Sequence, residues 1–205
     1  MNFTVEVQPG KEVRLPTGGK YCPNDILVSA KDGLPAGSIR VDPAWTDFSY
    51  LCAGRRFSLG KNLKYSDTAN GRSFSNMYSG WDTGAHTVPS LDLRKGTSFS
   101  GMFSWSSCIL EIGELDLSAA QNVDGMFNYC TGLQKICFVS GSIPISISFS
   151  HSRNLEASSV DSIIGGLADR TGNMSQTLTL HASVGAALTP EQKAAITAKN
   201  WTLVY

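Results

Sequence analysis

The chain has 205 residues, enough for one large domain or two small ones with a real core. Its 17 Lys and Arg cancel its 17 Asp and Glu, and only 17% of residues carry charge. The longest basic groups are the pairs Arg55-Arg56 and Arg94-Lys95, so the clustered positive face that neutralises phosphates is lacking and no nucleic-acid partner is expected.

The chain opens with Phe3-Thr4-Val5-Glu6-Val7, which alternates apolar and polar as a strand does. No basic start followed by an apolar run precedes it, so the sequence reads as a protein made and first folded in the cytosol. No apolar stretch is long enough to span a bilayer, and membrane insertion is not expected. Ile26-Leu27-Val28 is a second strand candidate. Between the two lie Pro9-Gly10, Pro16-Thr17-Gly18-Gly19 and Pro23-Asn24-Asp25, which are turn formers. Residues 1–32 therefore read as a small N-terminal β module, with Asp32-Gly33-Leu34-Pro35-Ala36-Gly37 as linker to a second region, 39–205.

That second region repeats itself. Leu91-Asp92-Leu93 is followed ten residues on by Gly101-Met102-Phe103, and Leu115-Asp116-Leu117 is followed at the same distance by Gly125-Met126-Phe127. Fainter copies lie upstream: Ser73-Phe74-Ser75-Asn76-Met77-Tyr78-Ser79 matches Ser98-Phe99-Ser100-Gly101-Met102-Phe103-Ser104, and Phe48-Ser49-Tyr50-Leu51-Cys52 matches Phe74 to Tyr78. About four units fit between residues 39 and 138. A unit this short cannot bury its own apolar face, so stacked neighbours are expected to share one core. The Leu-Asp-Leu triplets are read as the strands of a parallel ladder.

Beyond residue 138 the pattern changes. Ile143 to Phe149 reads as a strand without the Met-Phe element. Ser158 to about Asp169 is a capped amphipathic helix, Thr177 to His181 a strand, and Thr189-Pro190-Glu191-Gln192 a capping box opening a helix to about Lys199. Trp201 to Tyr205 is a last strand. Residues from about 150 to 205 thus form a C-terminal strand–helix cap, as the end of a stacked array requires. The fold class expected is mixed α/β and β-rich, a leucine-rich-repeat-like solenoid with a parallel strand ladder.

The paired units, above all Met126-Phe127-Asn128-Tyr129-Cys130-Thr131-Gly132-Leu133, resemble the BspA-type leucine-rich repeats of bacterial surface proteins and phage structural proteins. Thr17 to Val28 is similar to a short N-terminal module of phage tail and minor structural proteins, and Leu188 to Leu203 resembles the close of phage-encoded repeat proteins of this type. The resemblance implies a virion component, assembled in the host cytoplasm: a tail fibre, baseplate or head decoration. Its N-terminal module would meet other virion proteins, its repeats a glycan or protein of the host surface, and a homo-oligomer is compatible with it. The alternative it implies is an adhesin of the bacterial cell surface.

Chemistry-bearing residues are sparse. Asp67, Asp92 and Asp116 fall at one repeat position, where stacking would align their carboxylates; the structural alternative is that each accepts hydrogen bonds from turn amides. Equivalent repeat acids do not supply the unlike environments that paired acid/base catalysis needs. His86, His151 and His181 are scattered, and no metal-ligand spacing, nucleophile elbow or phosphate loop occurs. Neither an enzyme nor a cofactor is expected. Five cysteines form no CxxC pair and read as small apolar packing residues. Tyr78, Trp81, Trp105 and Tyr129 follow the Met-Tyr or Met-Phe elements and are the candidate binding residues. They are read either as a surface ridge for sugar rings or protein partners, or as packing between units. Trp45 and Trp201 are assigned to packing at the two ends.

Overall fold

The computed structural model describes residues 3–7, 13–15, 26–30, 39–41, 45–54, 63 and 65–205; for the first four segments and for Asp67 it describes the backbone alone. Strand β1 (Phe3–Val7) pairs in parallel with β3 (Ile26–Ala30), Phe3 lying opposite Ile26. Strand β2 (Val13–Leu15) pairs in parallel with β4 (Ile39–Val41). The pairing of β2 with β4 joins the N-terminal segment to the strand that opens the repeat region. The turn-rich residues between β1 and β3, and the 32–37 linker, lie outside the described residues apart from β2.

From residue 45 onward the chain is mixed α/β and is built of layers joined by parallel pairing. Single bridges link Asp47 to Ser73, Ser73 to Ser98 and Ser98 to Asn122, one per layer. Beside them the amides of Phe48, Phe74 and Phe99 donate to the carbonyls of Ser73, Ser98 and Asn122 in the next layer, each at 2.8 Å. On another face, β5 (His86–Val88), β6 (Ile109–Leu115) and β7 (Lys135–Phe138) form an open parallel sheet in that order. Residues at matching positions therefore stand above one another through successive layers.

The core shows this directly. Phe48, Phe74 and Phe99 stack at 5.3 and 5.4 Å between ring centroids. A second column runs Tyr78, Phe103, Phe127, Phe149 at 5.7, 5.5 and 4.5 Å. Leu51, Met77, Met102 and Met126 are buried at a third recurring position, and Cys52 is buried where Tyr78 and Phe103 stand in later layers. Each ring removes its own area from water and packs on the next, a term of about 0.5–1.5 kcal/mol per pair beyond burial.

The Leu-Asp-Leu triplets are not the ladder strands expected of them. Leu91-Asp92-Leu93 has no strand pairing, and Leu115 is the last residue of β6. Leu91-Asp92-Leu93 lies in the corner after β5, whereas in the second triplet Leu115 still pairs with Phe138 and the corner begins at Asp116. Both leucines of each remain buried, but the aspartate between them binds the turn that follows, which ends the pairing.

Helix α1 (Ala157–Gly166) packs beside β7, where another strand would continue the sheet. It starts and stops close to expectation, but its N-cap Glu156 makes no side-chain cap bond. The hydroxyls of Ser159 and Ser162 accept instead from the amides of Ile136 and Phe138, at 3.1 and 2.8 Å, and so close the free edge of β7. The last three strands, β8 (Ile147–Phe149), β9 (Gln176–Leu180) and β10 (Trp201–Val204), form a second parallel sheet in chain order. A short helix, α2 (Ala182–Ala186), follows β9, and α3 (Pro190–Ala198) opens on the expected Thr189–Gln192 capping box. Trp45 and Trp201 are buried at opposite ends of the layered core.

Candidate binding surface

In four successive layers the chain reverses between its two faces within a few residues, and it does so through two left-handed positions. The first holds Tyr50, Asn76, Gly101 and Gly125, with φ between 54° and 61°. The second holds Gly54, Gly80, Trp105 and Tyr129, with φ of 67°, 75°, 59° and 58°. The hydrogen bonds fix this register: the amides of Gly54, Gly80 and Trp105 donate to the carbonyls of Ser79, Ser104 and Asn128, at 2.7, 2.9 and 2.8 Å. Glycine adopts this conformation without a Cβ penalty, whereas a tryptophan or tyrosine there is strained by about 1 kcal/mol or more. Two upstream layers use glycine, and the next two place large aromatics at the same strained position.

Those aromatics are exposed. Trp105 is 62% and Tyr129 43% accessible, although each is part of a stack. Their centroids lie 3.9 Å apart with planes at 17°, and His151 continues the row, 4.3 Å from Tyr129 at 30°. The His151 ring is steadied by the Ser150 hydroxyl, 3.2 Å from Nδ1.

The four aromatics singled out from sequence are thus divided. Tyr78 and Trp81 are fully buried. Tyr78 belongs to the inner column, where burial pushes its phenol well above the usual tyrosine range. Trp81 packs edge-on to Tyr78, and its indole Nε1 donates to Cys52 O at 2.6 Å. Only Trp105 and Tyr129 come together on the outside. Sequence reading missed His151 as the third ring because the Met-Phe element that marks the register is absent from its layer. The preceding Phe149-Ser150 supplies the remaining signal, since Phe149 stacks on Phe127 just as His151 stacks on Tyr129.

Polar residues flank the row. Immediately before it in each layer come Ser79, Ser104, Asn128 and Ser150; two residues after it come Asp82, Ser107, Thr131 and Arg153. Asp82, Ser107 and Arg153 are exposed and Thr131 is half-buried. Hydroxyls also line the bridged column: Ser49 and Ser73 share a hydrogen bond at 2.8 Å, and Ser75 and Ser98 share one at 2.9 Å.

Two of the repeat acids, Asp92 and Asp116, have local partners. Asp92 takes a two-pronged bond from the Arg94 guanidinium, at 2.9 and 2.7 Å, which holds its carboxyl below the usual carboxylate range. Asp116 accepts from the Ser118 amide at 3.0 Å and also from the Ser118 hydroxyl. The backbone of Asp67 lies in a 3-10 turn, Tyr65–Thr68, whose Tyr65 carbonyl accepts from the Asp92 amide at 3.1 Å. Among the described residues, no three His, Cys, Asp or Glu side chains gather as a metal site would need. Cys52, Cys108 and Cys130 are buried, but Cys137 faces outward at an exposed position of β7, whose residues alternate. Cys22 lies outside the described residues.

Geometry defines the class here as far as a layered, parallel-stranded chain with an exposed aromatic row. Compared with known proteins, the chain matches no family model, no curated protein and no solved structure.

Proposed function

We propose that the chain is a leucine-rich-repeat-like solenoid that works by binding rather than catalysis, as a structural component of a phage virion that presents its repeat surface to the host. The observation that carries the binding reading is the Trp105–Tyr129 pair, two large aromatics held exposed at a left-handed backbone position that glycine fills in the two preceding layers, with His151 continuing the row. Strain kept at an exposed site argues for use of the side chain, because a structural role alone is served by glycine at less cost. A zero net charge and paired, turn-bound aspartates fit a flat recognition surface better than an acid/base site. The phage assignment rests mainly on the resemblance of Thr17–Val28 and Leu188–Leu203 to segments of phage-encoded proteins, since the BspA-type likeness of the repeats is shared with surface adhesins. In this reading the N-terminal β module meets other virion proteins and leaves the aromatic row free.

Mass spectrometry of density-purified phage particles tests the assignment. Stoichiometric recovery of this chain is the expected result, and its copy number separates a head decoration from a tail tip. Recovery from the cell envelope, with absence from intact particles, would overturn the virion reading in favour of a bacterial adhesin.

A further inference from the structure

The aromatic row ends abruptly at Trp105. One indole face is covered by Tyr129, and the opposite face looks toward the preceding layer, where the matching residue is Gly80 and, one layer further, Gly54. Neither glycine has a side chain to continue the stack. Among the described residues, a Cβ built on Gly80 would meet nothing nearer than the Gly54 backbone at 3.8 Å, and one on Gly54 would meet no atom within 4 Å. The result is a ledge: a floor of glycine backbone and, at one end, the open face of an indole. A flat group roughly one layer thick would complete the row as its next ring.

We infer that this ledge is a saccharide subsite, in which one pyranose ring stacks on the open face of Trp105 above Gly80. This rests on the proposal that the aromatic row is the recognition surface. Three observations favour a sugar over other flat groups. A pyranose with equatorial hydroxyls presents C–H faces to an indole and hydroxyls around its rim, and the rim here meets polar residues on both sides: Ser79 before the ledge, Asp82 and Ser107 after it. A nucleobase would bring phosphates, for which the chain offers no clustered basic face. An aromatic side chain of a protein partner would need an apolar surround, whereas the flanking positions are Ser, Asp, Asn, Thr and Arg. Asp82 and Ser107 stand at equal register in adjacent layers, so they serve two successive hydroxyls.

The full chain reports on this site without a label. Of its four tryptophans, Trp45, Trp81 and Trp201 are buried, so acrylamide quenching reads Trp105 above all. Cellotetraose, chitotetraose and galactotetraose are titrated in turn. At least one is expected to shield Trp105 from quenching and to bind measurably by calorimetry. Trp105→Ala then weakens binding at least tenfold, while Trp105→Phe keeps part of it. Gly80→Tyr is the decisive variant. Its backbone conformation is one that Trp105 and Tyr129 already tolerate, and its ring would fill the ledge as an extra member of the stack. It is expected to fold, as read by circular dichroism, and to abolish binding. Undiminished binding by a folded Gly80→Tyr protein would overturn the ledge assignment. So would shielding by N-acetyl-tyrosinamide in place of every saccharide, which would point to a protein partner. Failure of all three saccharides with a particle-associated protein would discard the subsite and leave the virion reading intact; absence from particles with clear saccharide binding would do the reverse.

Discussion

The thiol of Cys130 donates to the backbone carbonyl of Phe103 at 2.9 Å, across the boundary between two layers. One layer earlier Ser106 makes the same bond to Tyr78 O at 2.7 Å, and its oxygen also accepts from the Trp81 amide at 3.0 Å. A donor is needed at this position because a buried carbonyl on the inner turn would otherwise lose its partner. Cys130→Ser is therefore expected to fold with nearly the parent urea midpoint, while Cys130→Ala costs about 1–3 kcal/mol. At the same position one layer on, the Ser152 hydroxyl is buried and has no hydrogen-bond partner. Ser152→Ala is thus expected to be neutral or stabilising. Burial also pushes the Cys130 thiol up to about 12, so native protein near pH 8 should alkylate at exposed Cys137 and spare Cys130. Peptide mapping after iodoacetamide treatment checks this; rapid labelling of Cys130 would show that the layers open readily.

The Asp92–Arg94 pair gives a pH dependence with a definite sign. The guanidinium hydrogen bonds lower the Asp92 carboxyl in the folded state, so the fold binds its proton less readily than the unfolded chain does. The stabilisation is fully present above the ordinary aspartate pKa of about 3.9 and is lost as pH falls through the lower folded value. Arg94 is largely exposed, which screens the pair and keeps the effect small. Asp169 and Glu191 are also lowered, by Thr171 and by backbone and Thr189 bonds at a helix start, and they act with the same sign. The difference between the parent and Asp92→Asn isolates the one group. Urea midpoints of the two proteins are expected to differ at pH 7 and to converge toward pH 3. A constant gap would assign the effect of Asp92 to packing.

Much of this architecture was legible because the core positions are spelled by large apolar residues at fixed intervals. Phe74, Phe99 and Phe103 announce their columns, and the Thr189–Gln192 box announces its helix. The strand assignment failed at Leu91-Asp92-Leu93 for a physical reason: alternation of apolar and polar residues describes a strand and also a buried corner whose middle residue caps a turn. Sequence offered no way to separate these, since Asp92 acts through Arg94 and Asp116 through Ser118, both two residues on. The four aromatics divide between inside and outside on a similar ground. Trp81 and Trp105 both follow a Met-aromatic element, but Trp81 comes one residue after Gly80, the left-handed position, and turns inward. Trp105 occupies that position itself and points out. The difference of one residue between the layers decides exposure.

The edge of β7 offers a third test. Ser159 and Ser162 on α1 supply the oxygens that the Ile136 and Phe138 amides would otherwise seek from another strand. Ser159 also donates to Gln134 O at 3.0 Å. Replacing both serines with alanine leaves two amides unpartnered beneath the helix, at about 1–3 kcal/mol each before relaxation. Faster hydrogen exchange is expected at Ile136 and Phe138, along with concentration-dependent association through the uncovered edge. Unchanged exchange would mean that α1 shields the edge by packing alone.

Trp105→Gly separates structural from functional use of the aromatic row by stability alone. The substitution forfeits one stacking contact with Tyr129, of about 0.5–1.5 kcal/mol, and a mostly exposed side chain that adds little to the core. It also removes the strain of a non-glycine residue at φ 59°, about 1–3 kcal/mol. The two effects are of similar size and opposite sign, so the thermal midpoint is expected to hold or to rise slightly. Phe103→Ala serves as the contrast: it empties the middle of the Tyr78–Phe103–Phe127 column and should cost about 3–5 kcal/mol. If Trp105→Gly instead destabilises the protein as strongly as Phe103→Ala, the aromatic row is part of the framework, and the case for Trp105 as a recognition residue falls with it.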